Sequence, residues 1–598
     1  RRKQGGVVGA AASKTQVPLK ARCGCWVPQP DSGAHSKSSR LPPQVKIASY
    51  GKKDYTIKKR CGVQAAGQDA GDETMKRRDF CKGLAVTFAA GTLAPAAALP
   101  QAGAATALVG RAVPDDYYTL WYRSDRCGAD LRHDYYYSDS LFDHPATEYD
   151  NQLALATLGM AAAADCTWES DQRYWMEGEV GRADHIRDAF AKLGFTEVQL
   201  FNYTHSLNDT PDTVGCAIAR KTLVRGGRQV TIIGAFLRGS GYGAEWSGNL
   251  HAGPGSAHVG FVTAARQLVE KIRAYVQASA KRQPLGTLKL WMGGYSRGGG
   301  VANLVAARLP AVLPQLEKKN TFVYTFAAPA SLTAADCPDL QQDYDNNHAA
   351  DGSLKKNWGT SNIFNIVSSG DVIPRILPAE WGFYRNGNDR FLPSTVIPEE
   401  LQALNDRSAG MEGTPIDFGR LAVSEETDAV LRSMMDLFCD RQTYYKGYED
   451  AMRCMLQCAT TRTEEEVTRG IVRDDAAVVA QLRSMELMQR FPQEKVERCV
   501  QAASALSRPV LEKLGSAVPL QAQQIVIPML AVGLCFELQP ETVQLVADFV
   551  LSTITVKGQL SGILKTVLCH FQENYITVLE AYDPADHGMT PYTRREEL

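Results

Sequence analysis

The 598-residue sequence has no excess of charge of either sign and no long apolar run beyond its first hundred residues. Lys and Arg number 65 against 66 Asp and Glu, which gives a formal net charge of −1. A balanced charge offers no electrostatic reason to expect nucleic acid or an acidic polymer as a partner. No uncharged apolar stretch after residue 107 approaches the ~20 residues that cross a bilayer. The composition therefore predicts a globular protein without a nucleic-acid partner.

Cysteine is also sparse for a chain of this length. Ten of the 14 cysteines lie beyond residue 107, spread from Cys127 to Cys569, which is too dilute for a disulfide scaffold. Cys454 and Cys458 are four residues apart in a helical pattern, but no histidine or further cysteine accompanies them at zinc-ligand spacing. We interpret this pair as helix packing, and the sequence predicts neither a metal nor a cofactor.

The first hundred residues differ from the rest. Residues 1–74 hold 14 Lys or Arg and 5 Asp or Glu in a Gly/Ser/Pro-rich stretch, so we expect them to be disordered. The first methionine is Met75, and residues 75–107 resemble a twin-arginine export signal, with Arg77 and Arg78 before an Ala-rich apolar run. The pattern predicts export to the periplasm, cell surface or medium. It also predicts that residues 1–74 are an upstream extension that is not part of the native protein. The alternative is an apolar N-terminal helix that stays attached.

Hydrophobic patterning divides the remaining chain into unlike parts. Residues 108–396 alternate short β-branched or apolar runs with amphipathic stretches, which is typical of a mainly parallel α/β sheet flanked by helices. The predicted strands are 213–224, 229–237, 288–292, 321–328 and 362–369, and a helix is predicted at 257–280. Residues 397–559 read as successive helices, and we predict an all-helical insertion there. Residues 560–598 are predicted to complete the α/β core.

One stretch concentrates glycine around a serine. In "GGYSRGGG" the pattern Gly294-Tyr295-Ser296-Arg297-Gly298 lies between a predicted strand and a predicted helix. A Gly-x-Ser-x-Gly run in that position forms a tight elbow that exposes the serine hydroxyl at the carboxyl edge of the sheet. The sequence therefore predicts Ser296 as a nucleophile.

A serine nucleophile needs a base, and the base needs an orienting acid. In an α/β-hydrolase fold the order along the chain is Ser, acid, His. Asp371 follows a predicted strand, and we prefer it as the acid; the alternative is an aspartate that caps or forms a turn. Only His570 and His587 come later, and we prefer His570 because it directly follows an apolar run.

The third requirement is a pair of backbone N–H groups that face the developing oxyanion. One is predicted to be the amide of Arg297, directly after the nucleophile. The other is assigned to Ser240, in the Arg-Gly-Ser turn that follows the strand at 229–237. A glycine-rich turn without function is the alternative for this segment.

Together these motifs resemble the class 3 lipase family of α/β-hydrolases, in particular exported bacterial members with an extra helical region. The matching segments, in order, are "FLRGSGYGAEW", "AHVGF", "GGYSRGGGVAN", "SSGDVIPRILP" and "HFQENY". The resemblance implies an α/β-hydrolase fold, a triad of Ser296, Asp371 and His570, and oxyanion donors at Ser240 and Arg297. It also implies a structural role for His258 near the lid side of the site.

The implied activity is hydrolysis of carboxylic esters through an acyl-enzyme, with an ester or lipid substrate and transient contact with a lipid interface. Two departures from the family stand out: Tyr295 and Arg297 flank the serine, and 199 residues separate the acid from the base. We expect Arg297 to favour an anionic or polar acyl ester. The motifs also leave open an acyl hydrolase for thioesters, peptides or envelope acyl groups, and a binding protein without catalysis. They do not predict an oligomeric state.

Overall fold

A computed structural model describes residues 112–581 with internal gaps. The gaps are residues 125, 128, 166–177, 180–182, 206–210, 242, 256, 334–358, 393–397, 439, 461–472, 515–519 and 546–562. The disorder predicted for 1–74, the predicted signal at 75–107 and the alternative base His587 all lie outside the described residues.

A seven-stranded sheet forms the centre of the protein. Beside it stands a separate antiparallel hairpin of β1 (Asp116–Ser124) and β2 (Ala129–Tyr137). The central strands are β3 (Thr196–Phe201), β4 (Cys216–Arg225), β5 (Arg228–Leu237), β6 (Thr287–Tyr295), β7 (Thr321–Phe326), β8 (Ile363–Ser368) and β9 (Asn388–Leu392). Their spatial order is β9-β8-β7-β6-β5-β4-β3, so neighbours in sequence are neighbours in space.

The pairing of these strands is mainly parallel. Strands β5 to β9 run parallel to one another, β4 pairs antiparallel with β5, and β3 pairs antiparallel with β4. The five predicted strands are therefore confirmed. Parallel strands need crossover connections. Helices α3 (Gly243–Gly248) and α4 (Val259–Arg282) connect β5 to β6, and α5 (Arg297–Val312) connects β6 to β7, whereas α1 (Asn151–Ala163) and α2 (Asp184–Lys192) precede β3. Helix α4 confirms the helix predicted at 257–280.

Beyond the sheet the described chain is helical. The elements are α6 (Pro398–Gly410), α7 (Ser424–Phe438), α8 (Glu449–Thr460), α9 (Asp475–Ser484), α10 (Gln493–Leu514), α11 (Leu520–Cys535), α12 (Ile563–Leu568) and α13 (Gln572–Ala581). A short turn, Arg441–Thr443, and a π-helical turn, Tyr444–Tyr448, precede α8. No helix in the described part of the chain has the length and apolarity to cross a bilayer.

The helices do not all pack in the same place. Leu404, Ile416 and Phe418 belong to the same apolar core as Ile576 and Leu579 of α13, so residues 398–421 pack with the α/β part. The helices within 424–545, which we call the helical block, have a separate apolar core. Cys454 and Cys458 are both buried in that core. Composition alone did not distinguish these two sets of helices.

The helical block contacts the α/β part at the segment after α3. The Arg441 guanidinium donates to the carbonyl oxygens of Gly253 (2.9 Å) and Gly255 (2.5 Å). The Tyr444 hydroxyl donates to the Leu250 carbonyl at 2.9 Å, and the Gly253 N–H donates to the Glu449 carboxylate at 2.8 Å. The block is thus hydrogen-bonded to the loop 249–255, which begins nine residues after the predicted oxyanion residue.

Candidate active site

Ser296 sits on a sharp turn between β6 and α5. Its backbone φ of 54° and ψ of −125° lie outside the regions that non-glycine residues usually adopt, and such strain costs about 1–3 kcal/mol. A Cβ on Gly294 would lie 2.4 Å from the Gly298 carbonyl oxygen, and one on Gly298 would lie 2.4 Å from the Leu237 carbonyl oxygen. The glycines on both sides of Ser296 are therefore required by close backbone contact.

The structure brings the three predicted triad side chains together. His570 Nε2 lies 2.9 Å from Ser296 Oγ, and His570 Nδ1 lies 2.8 Å from Asp371 Oδ2. A proton on Nδ1 donates to the carboxylate and leaves the Nε2 lone pair to accept the Ser296 hydroxyl proton. Asp371 is fully buried, while 19% of the His570 side chain is exposed. The arrangement has the distances that nucleophile, base and orienting acid require.

Each triad member comes from a different element. Ser296 is at the carboxyl end of β6 and Asp371 follows β8, so both lie at the same edge of a parallel sheet. His570 occupies the turn between α12 and α13, rather than the end of a further strand. The 199 residues between acid and base are spanned largely by the helical block, so its insertion leaves the triad geometry intact.

Two tyrosines whose contacts the sequence did not predict hold the triad in place. The Tyr575 hydroxyl donates to Asp371 Oδ2 at 2.8 Å and accepts the Ser368 N–H at 3.0 Å. The Tyr295 hydroxyl donates to the His570 carbonyl oxygen at 2.6 Å. Burial raises the pKa of both phenols well above the ordinary value, so both stay protonated donors.

The predicted oxyanion turn is fixed by a buried ion pair. Arg238 Nη1 lies 2.6 Å from Glu245 Oε2, and the same carboxylate oxygen accepts the Gly241 N–H at 2.6 Å. The Ser240 hydroxyl accepts the Asn249 side-chain N–H at 2.8 Å. Ser240 is thereby held in the loop that follows β5, the strand adjacent to β6. Glu245 also went unnoticed as a site residue, although the acidic residue before Trp246 belonged to the quoted motif.

Arg297 begins α5, so its backbone N–H is among the unsatisfied donors of a helix N-terminus, where the helix dipole favours negative charge. Its side chain points elsewhere. The guanidinium is buried and donates to the carbonyl oxygens of Pro211 and Thr213 and to Asn249 Oδ1, at 2.8–2.9 Å. The expectation that this side chain selects an anionic acyl ester is therefore wrong, because its charge is used within the fold.

His258 caps α4. Its Nδ1 accepts the Phe261 N–H at 3.3 Å, and its Nε2 lies 2.9 Å from the Asn249 carbonyl oxygen. Complete burial lowers the pKa of His258 to about 3, so the ring is neutral and donates from Nε2. It supports the same Asn249 that contacts Ser240 and Arg297.

Comparison with known proteins identifies part of the chain. Residues 240–381 match the family model described as Lipase (class 3). This stretch includes Ser240, the elbow and Asp371, whereas His570 lies outside it. No curated protein is significantly similar in sequence.

Several solved lipase structures show slight similarity. A Rhizomucor miehei triacylglyceride lipase is 20% identical, with 40% of this chain and 79% of that chain covered and a TM-score of 0.27. A lipase from Rhizopus microsporus var. chinensis is 17% identical, with 41% and 75% covered and a TM-score of 0.27. Likenesses this weak do not bear on function. Residues 240–381 are similar to the class 3 lipase family, and this match covers about a quarter of the chain.

Proposed function

We propose that this protein hydrolyses carboxylic esters of lipids, with Ser296 as nucleophile, His570 as general base and Asp371 as orienting acid. The observation that carries the proposal is the unbroken hydrogen-bonded line from Ser296 Oγ through the imidazole to the buried carboxylate, at 2.9 and 2.8 Å. The class 3 lipase match over 240–381 supports an ester as the substrate.

In the proposed first step, Ser296 Oγ attacks the ester carbonyl while its proton passes to His570 Nε2. The imidazolium that forms is stabilised by Asp371, whose other oxygen already accepts the Ile373 N–H at 2.9 Å. The imidazolium then protonates the departing alkoxide, and the alcohol leaves an acyl group on Ser296. Water deprotonated by His570 releases the acid in the second step and restores the hydroxyl.

The tetrahedral oxyanion is proposed to accept the N–H groups of Arg297 and Ser240. The α5 N-terminus adds a favourable dipole. Removing one such donor lowers kcat by about 10²–10³-fold in a well-studied protease. The buried Arg238–Glu245 pair supports this assignment because it fixes the turn that carries the Ser240 amide.

The helical block is proposed to cover the substrate side of the site. Trp246 and Leu250, at and after α3, and Leu377 and Phe383, after Asp371, join the apolar core of the block. These segments follow the oxyanion turn and the acid Asp371 along the chain. A cover at this position excludes water and shapes the acyl-binding surface, and its opening is where transient contact with a lipid interface is expected.

The test combines covalent labelling with turnover. A fluorophosphonate probe is expected to label the wild type and to leave Ser296→Ala unlabelled. p-Nitrophenyl esters of rising chain length, compared with emulsified triglyceride, then measure the acyl preference. A wild-type protein that is folded, resists the probe and cleaves none of these esters would contradict the proposal.

We also propose export through the twin-arginine-type signal at 75–107, which supports a substrate outside the cytoplasm. Fractionation of cells that express the chain from Met75, with Arg77 and Arg78 both changed to Lys as the control, tests it. Export that survives the double substitution would refute this route.

A further inference from the structure

A carboxylate lies between the two loops that must face each other across the site. Asp165 follows α1, and its Oδ1 accepts the N–H of Gly239 at 2.8 Å. Its Oδ2 accepts the side-chain N–H of Gln572 at 2.5 Å. Gly239 precedes Ser240 in the oxyanion turn, and Gln572 is two residues after His570 in the base loop. One carboxyl group thus contacts both loops, with a separate oxygen for each.

Keeping the Asp165 carboxyl ionised at this position costs free energy. Desolvation raises the pKa of the Asp165 carboxyl, while the positive charge of Arg123, the Gly239 N–H, the charge of Arg238 and the Gln572 amide counter that rise. A charge held in a desolvated position is weak evidence for stability, since a neutral group of the same shape often serves the fold as well. Where it touches two active-site loops, the better explanation is a role in their geometry.

The proposed reaction requires both loops to be held in a fixed position. Gly239 has no side chain to anchor its peptide, and the next peptide carries the N–H of Ser240 assigned to the oxyanion. The His570 ring must reach Ser296 and Asp371 together. A misplacement of about 1 Å in such a constellation lowers the rate by about 10²-fold.

We propose that Asp165 is a positioning residue that holds the oxyanion turn and the base loop at a fixed separation. The inference rests on the proposed ester hydrolysis. Asp165 contacts no reacting atom. It acts through the Gly239 peptide on one side and through Gln572 on the other.

The first variant is Asp165→Asn, which keeps the shape but presents an N–H₂ group to one of the two donors. We expect kcat on p-nitrophenyl butyrate to fall about 10- to 100-fold, with KM within about threefold because substrate binding does not use this group. The melting temperature is expected to stay near that of the wild type. The active fraction, titrated with the fluorophosphonate probe, corrects kcat for any unfolded protein.

A matched control removes the buried carboxylate of Asp139. Asp139 pairs at 2.5 Å with the fully buried Lys221 of β4, which is not one of the strands that carry the triad. Asp139→Asn is expected to lower the melting temperature, since it leaves an unpaired buried charge, and to leave kcat per active site unchanged. Gln572→Met removes only the base-loop contact of Asp165 and is expected to lower kcat less than Asp165→Asn does.

The outcomes are separable. Wild-type kcat per active site in Asp165→Asn would overturn the proposal, and so would a fall fully explained by a loss of titrated sites. An unchanged kcat in Gln572→Met would overturn the link to the base loop. Failure of the proposed function is distinct, because the wild type itself would then be neither labelled nor active.

Discussion

The α/β part and the helical block contain different proportions of aromatic and sulfur side chains in their cores. In the α/β part, Trp291 is fully buried and lies with its ring 4.8–5.9 Å from those of four aromatic neighbours. These neighbours are Tyr137, Phe142, Phe195 and Phe236. The core of the helical block is richer in buried sulfur side chains, although it also contains Phe438 and Tyr444, and the α/β cores also contain Met160 and Met292. The sulfur side chains of the block are Met452, Met455, Met485, Met488, Met529, Cys454, Cys458 and Cys535.

The difference matches what each region has to do. Aromatic rings pack in specific geometries. Trp291 belongs to β6, whose carboxyl end leads into the elbow, so its packing fixes the strand that presents Ser296. Methionine is flexible and polarizable, so a methionine-rich core repacks at low cost. We infer that the region carrying the chemistry is the rigid one and that the region covering it is the adaptable one.

The largest expected effect tests whether the chemistry lies wholly outside the helical block. His570→Ala is expected to lower kcat by about 10⁶-fold, the loss seen when a triad histidine is removed, with the fold retained. His587→Ala is the matched control, since His587 is the other histidine that follows Asp371. Ester turnover and probe labelling measure both. Loss of activity in His587→Ala with retention in His570→Ala would reverse the assignment of the base.

A second prediction compares the two cores directly. Trp291→Ala is expected to destabilise the protein by about 3–5 kcal/mol and to lower kcat, because the cavity lies under the strand of the elbow. Met455→Leu, a substitution of similar volume at a fully buried site in the block, is expected to cost less than about 1.5 kcal/mol and to leave kcat unchanged. Thermal melting with parallel kinetics measures both. Equal effects on kcat would remove the distinction between the two regions.

The sequence predicted site residues that lie close together along the chain better than those that lie far apart. Ser296, its glycines and the flanking strand and helix are local, so spacing alone predicted them. His570 required a rule about chain order, because 274 residues separate it from Ser296. Tyr575 lies in the quoted segment "HFQENY", but the sequence did not indicate its contact with Asp371, 204 residues away. Asp165, which is 407 residues from Gln572, belonged to no quoted motif. Their contacts exist only once distant segments pack.

A third prediction concerns the hydrogen-bonded support beside the oxyanion turn. The pKa of His258 is lowered to about 3 in the fold, against an ordinary value of about 6.5. Above pH 6.5 the ring is neutral in both the folded and the unfolded chain, and the stability contributed by the neutral ring is fully present. As the pH falls toward 3, the unfolded chain binds a proton that the folded ring does not, so the free energy of unfolding decreases. Between pH 6.5 and 5 the loss is about 2 kcal/mol.

Urea unfolding at pH 7.5, 6 and 5 measures that loss. His258→Asn keeps a side-chain acceptor at the N-terminus of α4. The slope of its free energy of unfolding against pH is expected to correspond to one proton fewer than in the wild type. The same slope in wild type and variant would mean that His258 is not the group responsible.

The smallest expected effect tests whether the adaptable region governs the choice of substrate. Arg441 belongs to the helical block and donates to Gly253 and Gly255 in the loop after α3. Arg441→Met removes these hydrogen bonds but keeps an apolar stem. We expect kcat/KM on a short p-nitrophenyl ester to stay within about twofold of the wild type. The ratio of long-chain to short-chain kcat/KM is expected to change by about three- to tenfold, which corresponds to about 1 kcal/mol. Arg490→Met is the matched control, because the ion pair of Arg490 with Asp450 and its contacts with Phe491 and Phe536 stay inside the block. If both variants change the ratio equally, general loosening of the block is responsible, and the hydrogen bonds to the loop 249–255 do not set the acyl preference.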